Sequence, residues 1–294
     1  MIQTVISQHD LEFRVKFQAG LLIKTSRPLG WLIGPLVFLL GLTAFGIPLT
    51  IFAVFQIILL SIPYCILLYG TNDMYDYEAD KLNPRKSVPD TIEMETDFFP
   101  FMRKVSVVVA ILLIASAVIT LNLTNIFAMG LLLFFSYFYS APPLRFKERP
   151  PLDSVSNGIF YYYAPVLLGV SYGATLLDIP VQAYFITACV MGIHSFSTVM
   201  DYSADKQVGD RTFAVMFGKR VASVFTVMVF IITYIFAAFQ GTIVGYFLIF
   251  CAVLSGIITV MPSEKLAKYF LYSMGIGFGV VAVFEVLRYL AIFY

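Results

Sequence analysis

Apolar runs of about 20 residues recur from one end of this sequence to the other, and the breaks between them alternate in charge. Nine runs can be marked, at roughly 28–47, 49–70, 99–119, 125–141, 154–175, 179–200, 221–239, 243–261 and 267–289. A helix needs about 20 apolar residues to cross the ~30 Å hydrocarbon layer. Lipid offers the backbone no other hydrogen-bond partner, so each run is expected to be a helix. Every Lys and Arg except Arg288 lies before the first run, in a loop after an even-numbered run, or in the first six residues of the run that follows such a loop. The loops after odd-numbered runs carry none. That asymmetry puts the N-terminus and the long loops in the cytoplasm. Charged residues make up 13% of the chain, against about 25% in soluble domains. The expected fold is therefore an all-α integral membrane bundle of about nine transmembrane helices, a multi-pass protein of the cell membrane.

Residues 28–294 are expected to form one such domain. Residues 1–27 carry Asp10, Glu12, Arg14, Lys16, Lys24 and Arg27 among apolar positions. That excludes the unbroken apolar core of a signal peptide and suits an amphipathic lead-in lying at the membrane surface. A net charge of +1 gives no footing for a nucleic-acid partner. Cys65, Cys189 and Cys251 fall inside apolar runs and read as packing residues.

Two breaks hold acids where local physics disfavours them. Residues 71–81 read Thr-Asn-Asp-Met-Tyr-Asp-Tyr-Glu-Ala-Asp-Lys and follow directly on the second run. If a helix continues through them, Asn72, Asp76 and Asp80 share one face, with Asp73 beside it. Like charges at helical spacing repel by roughly 0.2–0.5 kcal/mol per pair. Negative charge at a helix C-terminus also opposes the macrodipole, and partial burial adds a desolvation penalty. A bound cation relieves all three, so the stretch reads as a divalent-metal site. Asp201 and Asp205 close the sixth run with the same four-residue spacing, ahead of Gly209, Arg211 and Thr212.

Magnesium takes one or two carboxylates and leaves its other positions to water and substrate phosphates. Two such clusters on one side of the membrane could clamp a diphosphate. Two prolines after Tyr139 turn the chain out of the fourth run and lead to Arg145 and Lys147, while Arg211 lies beside the second cluster. Arginine suits bidentate contact with phosphate, although each of these cations alone is an ordinary positive-inside residue. A diphosphate site opening into the bilayer implies a lipid diphosphate.

On these residues the sequence resembles the UbiA superfamily of intramembrane prenyltransferases. Asn72-Asp73-x-x-Asp76-x-x-x-Asp80 is similar to its first aspartate-rich motif, and Asp201-x-x-x-Asp205 with Gly209 and Thr212 to its second. Arg27-Pro28 and the Tyr139-Ser-Ala-Pro-Pro-Leu-Arg145-Phe-Lys147 loop are also similar to family signatures. One departure stands out. Several members carry Tyr-x-x-x-Lys in that loop, whereas here Pro143 takes the fourth place and the cations follow it. That leaves open which basic residue meets the diphosphate.

The resemblance implies magnesium held by Asp73, Asp76, Asp80, Asp201 and Asp205, with Asp76, Asp80, Asp201 and Asp205 catalytic. It implies diphosphate contacts from Asn72, Tyr139, Arg145, Lys147 and Arg211. The partners implied are an allylic prenyl diphosphate and a lipophilic acceptor, met at a site facing the cytoplasm. Residues 72–86 and 192–201 most resemble the lycopene elongase branch, so the expected acceptor is the end of a C40 carotene. A quinone-ring precursor or a glycerolipid is the alternative, and an ion-coupled transporter is the non-enzyme alternative. Glu285, late in the ninth run, is the one intramembrane acid that suits a transporter. His194, two turns before Asp201, could handle a proton or simply bond a neighbouring helix. The pairs Gly30/Gly34 and Gly275/Gly279 are expected at close helix contacts. The sequon at Asn122 abuts the membrane and is discounted.

Overall fold

The computed structural model describes residues 18–82 and 96–293. Most of the expected lead-in falls outside them, as do Arg85 and Lys86 of the first long loop. All regular structure among the described residues is helical. Helix α1 (Gln18–Thr25) meets α2 (Ile33–Thr43) at a 51° bend through Arg27 and a 3-10 turn over Pro28–Gly30. The second run is split into α3 (Ile51–Leu60) and α4 (Ile62–Leu82). Ser61 breaks it, donating from Oγ to the Trp31 carbonyl at 2.9 Å. Helices α5 (Phe99–Val118) and α6 (Leu123–Ser140) follow as expected.

The fifth run is helical but not uniform. It comprises α7 (Leu152–Gly158), a π turn over Ile159–Tyr163 and α8 (Ala164–Val170). Pro165 has no amide to offer the Tyr161 carbonyl, and the helix widens there. After it come α9 (Val181–Val208), the short α10 (Phe213–Phe217), α11 (Lys219–Phe236), α12 (Ile243–Val260) and α13 (Glu264–Phe293). Where nine spans were expected, seven helices among the described residues are long and apolar enough to cross a membrane, or eight with the bent pair. The fifth run, broken by its π turn, is the one outside that number.

Three helix starts at the end of the bundle away from the acids are capped by side chains. Thr50 accepts from the Ala53 amide at 3.2 Å, and Thr242 accepts from Gly245 at 3.0 Å. Asn122 accepts from the amides of Thr124 and Asn125 and donates to the Ser171 carbonyl at 2.7 Å. Such caps contribute about 1 kcal/mol each. Asn122, the sequon residue, is thus committed to holding the bundle.

Packing divides into two cores. One joins α2–α6 and α8 around Phe38, Leu42, Leu60, Leu113, Leu132 and Leu167. The other joins α9 to α13 around Phe196, Phe230, Leu248 and Met274. Residues such as Val107, Ile111, Ile114 and Val118 of α5 point outward and are exposed, as a lipid-facing stripe should be.

The closest helix approach differs from expectation. A Cβ on Gly169 would sit 2.1 Å from the Phe38 carbonyl oxygen, and one on Gly41 would sit 2.2 Å from that of Val166. Helices α2 and α8 therefore cross glycine on glycine. Gly34 is also tight, against Leu60 of α3. Gly275 and Gly279 have nothing within 4 Å of an added Cβ, so that expected contact is absent.

Candidate functional site

Helix α4 continues through the acid cluster to Leu82, so Asn72, Asp76 and Asp80 do lie along one face. The Asn72 side-chain amide donates to Asp76 Oδ2 at 2.7 Å and to Ser140 Oγ at 2.9 Å, tying α4 to the end of α6. Beyond α6 the two prolines extend the chain, and Arg145 takes a left-handed backbone (φ 43°) that turns it back. This turn carries Lys147 onto Asp76, where its ammonium donates to Oδ1. Arg145 stands 3.9 Å from the same carboxylate, and donates to Glu148 at 2.5 Å and to the Tyr75 carbonyl at 3.3 Å. Asp76 is only 4% exposed. Its negative charge is therefore balanced by cations of the chain.

The second cluster is built by a chain reversal. Gly209 ends α9 at φ 84°, a left-handed conformation that favours glycine. The reversal lets the Asp210 amide donate to the Asp205 carbonyl at 2.9 Å, and Thr212 Oγ1 donate to Asp205 Oδ2 at 3.1 Å. Asp153 holds the reversal from outside. Its buried carboxylate accepts from the amides of Ser154 (2.6 Å) and Phe213 (3.2 Å). Thr198 Oγ1 accepts from the Ala214 amide at 2.9 Å, which pins α10 to α9.

The two clusters meet across one cavity of about 230 Å³. Asn72 and Asp76 line it from α4, Asp201 and Asp205 from α9, and Lys147 from the proline loop. Tyr139 and His194 line its floor, and Asp210, Glu148 and Thr212, which the sequence reading did not single out as ligands, complete it. Asp210 was legible in one respect, since it directly follows the glycine that turns the chain back. Asp80 lies one turn beyond Asp76 on α4 and is half-buried outside this lining. Asp73 faces elsewhere. It accepts from Arg27 at 2.9 Å, whose guanidinium lies 4.3 Å from the Tyr69 ring centre. Arg211 is exposed, between two lining residues.

The donor set suits a hard cation, because Asp76, Asp201, Asp205 and Asp210 bring four carboxylates, and Asn72 an amide, to the lining of one space. The Lys147 ammonium on Asp76 is a built-in stand-in for positive charge. Among the described residues no three acids, imidazoles or thiols already converge on one point. Magnesium does not need that, since it keeps several positions for water and phosphate.

A second, apolar cavity of about 390 Å³ is lined by the same helix, α9. Ile193, the neighbour of His194, lines it, and Val190, Cys189 and Ile186 continue along α9 away from the acids. Leu40, Tyr162, Phe230, Phe247 and Phe278 close it from other helices. Glu285 and Arg288, the two residues that broke the sequence pattern, form a 3.5 Å pair on its wall.

The profile of the UbiA prenyltransferase family matches residues 32–272. A lycopene elongase/hydratase of Haloarcula japonica is 34% identical over 216 residues, covering 71% of each chain. One from Haloferax volcanii is 35% identical over 213 residues, covering 66% of this chain and 64% of its own. The fold is similar to that of a UbiA homolog from Archaeoglobus fulgidus bound to DMAPP and Mg2+, with a TM-score of 0.66 at 20% identity over 92% of this chain and 98% of that one.

Proposed function

The chain belongs to the UbiA prenyltransferase family and is a prenyltransferase, and from that premise we propose that it joins a five-carbon allylic group to the end of a C40 carotene such as lycopene. The donor is dimethylallyl diphosphate and the reaction is magnesium-dependent, on the cytoplasmic side of the cell membrane. The observation that carries this reading is the pairing of an acid-lined cavity with an apolar one along α9. It also draws on the lycopene elongase/hydratases among the relatives.

Asp76, Asp201 and Asp205 would hold the magnesium, with Asp210 beside them, while Asp80 and Asp73 of α4 lie outside the cavity lining and Asp73 is paired with Arg27. Bound there, the metal supplies Lewis acidity to the departing diphosphate. The chain's own work is to bind, orient and exclude water. Lys147 and Arg145 already stand at Asp76 and can turn their charge to phosphate oxygens. Asn72, Tyr139 and Arg211 are the other proposed diphosphate contacts. The allylic cation left by C–O cleavage is shielded from water and faces aromatic rings, which favour positive charge. Tyr139 and Phe160 provide such a wall, with ring centres 5.6 Å apart. A hydroxylated ring acceptor needs buried polar partners, since an unpaired hydroxyl costs about 1–3 kcal/mol. Along α9 the apolar cavity offers Ile186, Cys189, Val190 and Ile193 instead.

Membranes containing the protein are therefore expected to convert lycopene, dimethylallyl diphosphate and magnesium into C45 and C50 carotenoids, read by mass. Inert lycopene beside prenylated 4-hydroxybenzoate or 1,4-dihydroxy-2-naphthoate would overturn the carotene reading and leave the prenyltransferase intact. Orientation has its own test. The three native cysteines are buried, so introduced ones report cleanly. Asp178→Cys is expected to react with an impermeant thiol reagent added to intact cells, and Lys206→Cys only after lysis. The opposite pattern reverses the orientation.

A further inference from the structure

The proposed transfer leaves one lining group idle. His194 projects into the acid-lined cavity two turns, about 10 Å, before Asp201 on α9. Its Nε2 is 3.1 Å from Tyr139 Oη, and its Nδ1 is 3.1 Å from Ser154 Oγ. The Tyr139 ring meets the imidazole edge-on, with centres 6.1 Å apart. Ser154 is itself fixed, because its amide donates to the buried Asp153 carboxylate. Both ring nitrogens are thus satisfied, and the imidazole reaches the reaction space through the Tyr139 hydroxyl. Ile193 next to it already lines the apolar cavity. The pair therefore stands where an apolar acceptor would meet a cation generated among the acids.

Joining an allylic cation to a C=C bond leaves unfinished chemistry on the acceptor. The donor's C–O electron pair has left with the diphosphate, and the acceptor's π pair has become the new C–C bond. A tertiary cation remains. It is discharged by losing an adjacent C–H proton, which gives an alkene, or by taking up water, which gives an alcohol. Only the first route needs a positioned base. A protonated alcohol is acidic enough to give its proton to any water or phosphate oxygen. Asp201 stands two turns from His194 along α9 and Asp205 a turn further, while Asp76 on α4 is engaged by Lys147. Among the described lining residues His194 is the one neutral base, and its neighbour Ile193 lines the apolar cavity.

We infer that Tyr139 and His194 form a proton relay that ends the reaction, and so set whether the product is an alkene or an alcohol. Tyr139 Oη takes the C–H proton as its own hydrogen passes to Nε2, while Nδ1–H stays on Ser154 Oγ. The imidazolium then releases its proton to the departing diphosphate. Tyr139 is the group that touches the acceptor, and Ser154 is a positioning residue. This inference rests on the alkene acceptor proposed above.

The test compares wild type, His194→Gln and Ser154→Ala in membranes supplied with lycopene, dimethylallyl diphosphate and magnesium. The readout is the ratio of alkene to alcohol among prenylated products, which is independent of total rate. Glutamine keeps hydrogen-bonding capacity but is not basic. The ratio is expected to fall by about 10²-fold in His194→Gln, the lower end of what a positioned base contributes, and by less in Ser154→Ala. A wild-type ratio in His194→Gln overturns the relay while the carotene reading stands. If that variant yields no product at all, an unchanged ratio in Ser154→Ala overturns it instead. A wild type that makes only alcohol also overturns it, and a wild type that leaves lycopene untouched overturns both readings.

Discussion

Asp76→Asn and Asp201→Asn are each expected to abolish prenyl transfer while the protein still reaches the membrane. The two residues face one another across a single 230 Å³ cavity from separate helices. Each substitution removes one negative charge from a site whose proposed work is to gather positive charge around a leaving diphosphate. A single preorganised electrostatic contact at such a site is worth about 10²–10³ in rate, and a metal ligand at least as much. Asp76 carries a further duty. It is nearly fully buried and holds both Lys147 and the Asn72 amide. The carboxamide keeps those hydrogen bonds in part but leaves Lys147 without its counter-charge. The sequence alone suggested relief of repulsion on removing an acid from this cluster. With Lys147 in place, Asp76→Asn is instead expected to lower thermal stability in detergent. Turnover within tenfold of wild type in either variant, measured as prenylated product per folded protein, would remove that residue from the metal site.

Gly169→Ala is expected to destabilise the whole bundle, and Gly275→Ala to leave it unchanged. The added carbon at position 169 would sit 2.1 Å from the Phe38 carbonyl oxygen. Backbone cannot move aside as a flexible side chain can, so α2 and α8 must separate. Overpacking of this kind costs about 1–3 kcal/mol, occasionally more. At position 275 an added methyl meets nothing within 4 Å, and alanine is the better helix former. Midpoints of thermal aggregation in detergent would separate the two variants. Equal midpoints would mean that the α2–α8 crossing is looser than its glycines imply.

The contrast shows what a linear reading reaches. Gly275 and Gly279 match a motif for close approach, yet the contact belongs to Gly41 and Gly169, 128 positions apart and in no shared pattern. Spacing reports which residues share a helix face, not what that face meets. The same limit separates the acids. Asp76 and Asp201 were legible because their four-residue spacing and their place at the end of apolar runs are local facts. That Asp73 turns instead to Arg27 depends on a partner 46 residues away. Asp153 was passed over because, beside two prolines, it looks like a loop acid. Its role appears only when the Phe213 amide arrives from α10. The break at Ser61 was hidden too, since an unbroken apolar run gives no sign that a hydroxyl will bond the Trp31 carbonyl instead of its own helix.

The larger cavity lies where neither hydrophobic core closes. Its walls come from both, with Leu40 and Tyr162 on one side and Phe230, Phe247 and Leu248 on the other. The two acid clusters and the proline loop lie outside this lining. Exchanging Ile186, Val190 or Phe278, which pack against the first core without being among its fully buried residues, would therefore reshape the vacant space at a smaller cost in packing than exchanging Phe38 or Leu167. On the proposed reading, stability and choice of acceptor rest largely on different residues of this bundle, so the second could drift under selection, or be redesigned, while the first is held.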